Sequence, residues 1–136
     1  LLLCTRPTRW GYTFEMWTST TGVEIDESAV ASARENVTLN GVDDRVSLIH
    51  GDAGAVDGQY PLVVANILAK ILIEIAPSIR ARCNGDLILS GLLPQQRADV
   101  LVAYDAVPMG EGDGEMVVID ELQEGEWLVL LLRRRT

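Results

Sequence analysis

Lysine is nearly missing from this sequence: Lys70 is the only one, and ten arginines carry the remaining positive charge. Against them stand twenty acidic residues, for a formal net charge of −9. So acidic a chain is repelled by a polyanion, which excludes nucleic-acid binding through a general phosphate-neutralising face. A basic protein or a neutral-to-cationic small molecule stays open as a partner. Histidine and cysteine are scarce too. His50 is the only histidine, and Cys4 and Cys83 lie far apart with no CxxC spacing. Zinc asks for three or four nitrogen or sulfur ligands, so no metal site is expected. The spacing gives no support to a disulfide, and a reducing cytoplasm is the expected compartment. Missing as well is an unbroken apolar run of membrane-spanning length. The stretch from Tyr60 to Ile79 is interrupted by Asn66, Lys70, Glu74 and Pro77, and reads better as a buried strand followed by a helix. Leu1-Leu2-Leu3-Cys4 lacks the basic and long apolar regions of a secretion signal.

What the 136 residues do contain is an ordinary globular balance, 48% hydrophobic and 23% charged, which fits one domain. From residue 22 onward strand and helix signals alternate. Gly22 to Asp26 reads as the end of a short strand. A helix follows, capped by Asp26 or Ser28, carrying Val30, Ala33 and Val37 at helical spacing and stopped by Asn40-Gly41. Val46 to His50 is a second strand, closed by Gly51-Asp52. Tyr60 to Ala65 is a continuous apolar strand of the kind buried on both faces of a parallel sheet. The next helix runs through Ile71, Leu72, Ile75 and Ile79, with Pro77 bending or restarting it and Asn84-Gly85 ending it. Asp86 to Gly91 is a further strand, and Pro94 opens a helix with Val100, Leu101 and Tyr104. Met116 to Ile119 and Trp127 to Leu132, linked through Gln123 to Glu126, read as a hairpin. The loop from Val107 to Glu115 is expected to be mobile. Trp10, Tyr12, Phe14 and Trp17 fall in a stretch without clear period. The whole predicts an α/β fold, a Rossmann-like open twisted sheet, mostly parallel, with a C-terminal antiparallel hairpin at its edge.

Ligands of open α/β sheets bind beyond the carboxyl ends of the strands. Four segments lie there: Glu24 to Asp26, Gly51 to Ala53, Asn66 to Leu68, and Ser90 to Leu92. Glu24 precedes the helix and suits a ribose diol, whereas Asp26 suits a helix cap. Asp52 could accept from an adenine amine, although a plain turn in which it bonds its own backbone two residues on is the better reading. Asn66 ends the central apolar strand. Its amide can either orient an amine nucleophile or cap the next helix, and the two readings balance. His50 reads as a strand-end residue with a satisfied ring. Lys70 and Glu74, spaced i, i+4, read as a solvated pair.

The order of these motifs resembles a known family. Gly22-Val23-Glu24-Ile25-Asp26, Ala33-Arg34-Glu35-Asn36 and Leu39-Asn40-Gly41-Val42 resemble class I S-adenosylmethionine-dependent methyltransferases. More narrowly, Val63-Val64-Ala65-Asn66-Ile67-Leu68-Ala69 followed by Leu87-Ile88-Leu89-Ser90-Gly91-Leu92 is similar to the bacterial ribosomal protein L-eleven methyltransferase. So is the closing stretch from Gly125-Glu126-Trp127-Leu128 through Arg133-Arg134. The resemblance covers roughly residues 22–134 of a single domain spanning 1–136. It implies a seven-stranded sheet, S-adenosylmethionine as cofactor, and methyl transfer to amino groups of a large-subunit ribosomal protein in the cytoplasm. By position Glu24 matches the ribose-binding acid and Asp52 the adenine-side aspartate, with Ile25 and Ala53 beside them on the cofactor. Asn66 matches the residue between the sulfonium methyl and the substrate amine, where the enzyme chiefly positions the amine for displacement. Two features depart from the family. Residues 1–21 hold only Gly11 where a GxGxG loop belongs, and the family's N-terminal recognition domain has no counterpart. Three further readings therefore stand beside the first: an impaired enzyme, another class I methyltransferase acting on a small molecule, or a non-catalytic remnant of the fold.

Overall fold

A computed structural model describes residues 2–4, 20–24, 26–44 and 46–135. The aromatic cluster at Trp10, Tyr12, Phe14 and Trp17 lies outside these residues, as does Ile25. In chain order the elements are β1 (Leu2–Cys4), β2 (Thr20–Glu24), α1 (Glu27–Leu39), β3 (Val46–His50), β4 (Tyr60–Asn66), α2 (Ala69–Glu74) and α3 (Ala76–Arg82). Then come β5 (Cys83–Leu92), α4 (Arg97–Ala103), β6 (Ala106–Pro108), β7 (Met116–Glu124) and β8 (Trp127–Arg134). The strands form one sheet in the order β3-β2-β1-β4-β5-β8-β7-β6. Strands β2 to β7 share one direction, and β1 and β8 oppose them. The mostly parallel α/β sheet is therefore present.

Its details correct three expectations. The sheet has eight strands among the described residues rather than seven, because the segment expected to be a mobile loop contributes β6, parallel to β7. The antiparallel member of the hairpin is not at the edge: β8 lies between β5 and β7. Its Leu128, Leu130, Leu131 and Leu132 are all buried, and a strand so apolar needs cover and pairing on both sides, which an edge cannot provide. Finally, Asn84-Gly85 does not end a helix. α3 stops at Arg82 and both residues already belong to β5. A side-chain carbon at Gly85 would stand 2.3 Å from the Pro61 carbonyl oxygen. The glycine is there to let β5 approach β4 closely at the irregularity between Tyr60 and Leu62.

The helices follow the local signals. Asp26 is the N-cap of α1, its carboxylate accepting from the Ser28 N–H at 2.9 Å, which satisfies a donor left over by the first turn. The Ser28 hydroxyl and N–H hold its carboxyl below the usual carboxylate range. Pro77 restarts the helix: α2 ends at Glu74, and α3 begins at Ala76 with proline in its first turn. That break falls just after Glu74, and Lys70 and Glu74 form no ion pair, a loss of little consequence for two exposed side chains. The core joins Leu72 and Ile79 on the helices to Val63, Ala65, Leu87, Leu89, Leu130 and Leu132 on the central strands. Tyr104, fully buried, donates its hydroxyl to the Leu72 carbonyl at 2.8 Å, and burial pushes its ionisation far up. Cys83 is buried and free, its thiol donating to the Asp86 carbonyl at 3.3 Å.

Arg97 pairs with Glu121 at 2.7 Å, while the other described ion pairs lie at the amino edge of the parallel strands. Arg133 grips Asp86 across the β5–β8 pair with two bonds of 2.7 and 3.0 Å. Glu115 takes Arg80 and Arg134 together, and these two guanidinium groups hold its carboxyl below the usual range. A group whose folded pKa is depressed stabilises the fold above its unfolded pKa and stops doing so as pH falls through the folded value. Stability should therefore decline as pH drops below about 4.5, the ordinary value for Glu115. In Glu115→Gln that part of the decline should vanish, which denaturant melts across the acid range will show. Tyr104→Phe leaves the Leu72 carbonyl without its donor and should cost about 1–2 kcal/mol in the same melts.

Candidate functional site

The carboxyl ends of β2, β3, β4 and β5 gather along one edge because those strands are parallel. Register aligns them closely. Glu24 is opposite His50 and Asn66 is opposite Ser90. Gly22 and Val64 both face Leu2 of the intervening β1, so Glu24 and Asn66, each two residues further on, end at one level. Two strand spacings separate them, about 9–10 Å. Here the chain order also reverses, with β2 leading outward to β3 and β4 outward to β5. Such a switch point leaves a crevice above the sheet, the usual place for a ligand in this architecture.

Asn66 occupies one side of that crevice. A cleft of about 520 Å³ is lined by Asn66, Ile67, Leu68, Ser90, Gly91 and Trp127. The helix-cap reading of Asn66 fails: α2 starts at Ala69 with Leu68 as its N-cap and no side-chain cap bond. Two residues intervene between the strand end and the helix, and that carries the amide away from the helix N–H groups. Asn66 is exposed and bonds no described residue. An amide presenting both a donor and an acceptor to an apolar cleft can orient a small polar group there. Its wall is completed by Trp127, half exposed at the start of β8, where the tight turn at Gly125-Glu126 brings it back to the site.

The other predicted residues occupy the same edge but not the same cleft. Glu24 is exposed, with Oε1 accepting the Asp26 N–H at 3.0 Å, so its carboxylate is turned toward the start of α1. Asp52 follows β3 by two residues and caps the short turn Ala53–Ala55, its Oδ1 accepting the Gly54 N–H at 2.9 Å. That is the turn reading realised. Ala53 opens that turn. His50 ends β3 exposed. Ile25 lies outside the described residues. Sequence reasoning missed Trp127 as a cleft wall, because only the pairing of β8 with β5 puts it near Asn66. An aromatic directly after a turn, outside any apolar face, was the available signal.

The geometry can be set beside known proteins. The family model of ribosomal protein L11 methyltransferase (PrmA) matches residues 17–135. A ribosomal protein L11 methyltransferase of Desulfitobacterium hafniense is 33% identical over 114 residues, covering 82% of this chain and 34% of that protein. One from Agrobacterium fabrum is 36% identical over 118 residues, covering 82% of this chain and 38% of its own length. The chain thus spans about a third of these relatives. Among solved structures, a ribosomal protein L11 methylase from Lactobacillus delbrueckii subsp. bulgaricus superimposes with a TM-score of 0.74 at 27% identity, over 85% of this chain and 58% of that one. If the Asn66 amide has no structural duty, Asn66→Ala should leave stability within about 0.5 kcal/mol of the parent. A helix cap would cost about 1 kcal/mol, and thermal melts distinguish the two.

Proposed function

Since this chain belongs to the ribosomal protein L11 methyltransferase family, we propose that it forms the cofactor-binding and methyl-transferring domain of such an enzyme, residues 1–136 acting as one unit. The substrate is an amino group of a large-subunit ribosomal protein, and the compartment is the cytoplasm. No helix among the described residues is long and apolar enough to cross a membrane. The observation that carries this reading is the Asn66 amide, exposed at the switch point, lining the cleft and with no side-chain hydrogen bond among the described residues.

The residues present suit S-adenosylmethionine. Glu24 and Asp52 put carboxylates on the β2 and β3 side of the crevice, for the ribose diol and the adenine amine; Ile25 and Ala53, next to them in sequence, are assigned to the cofactor as well. Asn66 stands two strands away, a separation that fits the span from a nucleoside to a reacting centre. When bound, the cofactor supplies an electrophilic methyl group on a positively charged sulfonium. The chain's own part is positional. The Asn66 carbonyl oxygen accepts a hydrogen from the substrate amine and so fixes the direction of the nitrogen lone pair. Trp127 offers an aromatic face against which a cationic or methylated nitrogen can rest, and Leu68 and Ile67 keep the cleft apolar.

Charge supports the same substrate. The arginines Arg80, Arg133 and Arg134 are spent on carboxylates and carbonyls at the amino edge. The carboxyl edge carries Glu24, Asp26 and Asp52, and the β7–β8 turn beside the cleft adds Glu124 and Glu126. An acidic rim draws in a lysine-rich protein and speeds its encounter, and it repels nucleic acid. A second reading, a methyltransferase scaffold without cofactor affinity, rests on the single glycine in residues 1–21.

Calorimetric titration with S-adenosylmethionine separates the two. Micromolar binding, about −8 kcal/mol, is expected, weakened about tenfold or more in Glu24→Ala. Asn66→Ala should bind equally well and lose nearly all methyl transfer to the ribosomal protein, leaving a small residual rate. No binding by the folded chain would establish the scaffold reading, and full turnover in Asn66→Ala would remove the assigned role.

A further inference from the structure

Among the described residues no hydrogen bond holds the Asn66 side chain, yet its usefulness depends on where its carbonyl oxygen points. The neighbouring strand supplies the constraint. Between Leu89, which faces Leu130, and Leu92, which faces Leu128, β5 has two residues, Ser90 and Gly91, where β8 has only Val129. This two-against-one irregularity is a β-bulge, a feature that bends a strand and re-aims its side chains. Gly91 takes φ +78° there, a conformation that glycine adopts without steric cost. A side-chain carbon built on Gly91 would stand 2.9 Å from Asn66 Oδ1 and 3.2 Å from the Ile67 carbonyl oxygen. The Asn66 carbonyl oxygen therefore occupies the space that a side chain at position 91 would fill.

We infer that Gly91 is a positioning residue for the reaction: the bulge at Ser90-Gly91 presents a bare backbone surface against which the Asn66 carbonyl oxygen rests, aimed into the cleft. The inference builds on the role proposed above for Asn66, but the packing itself can be tested separately. Parallel register puts Ser90 directly opposite Asn66, so the amide is bounded on this side by β5 backbone. Ser90 and Gly91 line the cleft together with Asn66, Leu68 and Trp127. Loss of the bare surface would push the acceptor oxygen off its place against Gly91, with no side-chain hydrogen bond among the described residues to restore it.

The test uses the whole chain and two variants, Gly91→Ala and Gly91→Asn. Both add the same first side-chain carbon, but asparagine tolerates positive φ better than alanine, so agreement between them separates contact from backbone strain. The primary readout is the side-chain amide proton–nitrogen cross-peak of Asn66 in a nuclear magnetic resonance spectrum, identified by its loss in Asn66→Ala. Both variants should shift that cross-peak while retaining a dispersed, folded spectrum. They should also lower kcat by about a hundredfold, the scale of an ångström-level misplacement, with the cofactor dissociation constant unchanged. In an Asn66→Ala background, Gly91→Ala should bring no further loss of residual turnover, because the group it displaces is gone. A cross-peak unmoved in both variants overturns the inference whatever the role of Asn66. Equal losses with and without the Asn66 side chain overturn it as well. Full activity in Asn66→Ala would instead count against the role proposed for the amide.

Discussion

The parallel pairing of β4 with β5 is the contact from which the site follows. It runs from Tyr60 opposite Cys83 to Asn66 opposite Ser90, and its inner residues Leu62, Val63, Ala65, Leu87 and Leu89 are all buried. A one-residue slip would put Asn84 or Asp86 in the place of Gly85, where a side-chain carbon would stand 2.3 Å from the Pro61 carbonyl oxygen. Burial on both faces holds the pair together and that close approach fixes its register, which in turn sets which polar groups emerge at the carboxyl edge. Gly85 at one end lets the strands close up on Pro61, and at the other end Ser90-Gly91, bulged against β8, lines the cleft beside Asn66.

Charge is divided in the same direction. At the amino edge, guanidinium groups meet Glu115 and Asp86 and also cap backbone carbonyls, as Arg134 does at Cys83 and Arg82 at Gly58. These contacts tie the end of β8 to the end of α3 and the start of β7. At the carboxyl edge the acidic groups engage mostly backbone N–H groups close by in sequence, as Asp26 does with Ser28 and Asp52 with Gly54. Asp26 and Asp52 thus serve the start of α1 and the turn after β3.

Much of this was legible residue by residue. The Asp26 cap, the restart at Pro77 and the strand at Val46 to His50 are short-range effects, decided by side chains within one turn or one strand of each other. Asn66 could be located at a strand end, yet its two readings stayed balanced until the start of α2 was known. That start depends on how Ile67 and Leu68 leave the sheet, and no local pattern records it. Asn84-Gly85 misled for a similar reason. The pair looks like a helix stop, but the glycine answers a strand approaching from residue 61.

Order along the chain was thus sufficient for the alternating α/β architecture, the motifs at the strand ends and the acidic balance, since each depends on neighbouring residues or on a sum over all of them. Three things required the folded molecule: the insertion of β8 between β5 and β7, the arrival of Trp127 at Asn66, and the close approach of the Asn66 carbonyl oxygen to Gly91. Each is a meeting of residues distant in sequence, brought about by the packing of apolar strands. A long-range contact of that kind leaves little trace in any single segment, because the burial that drives it is shared among many.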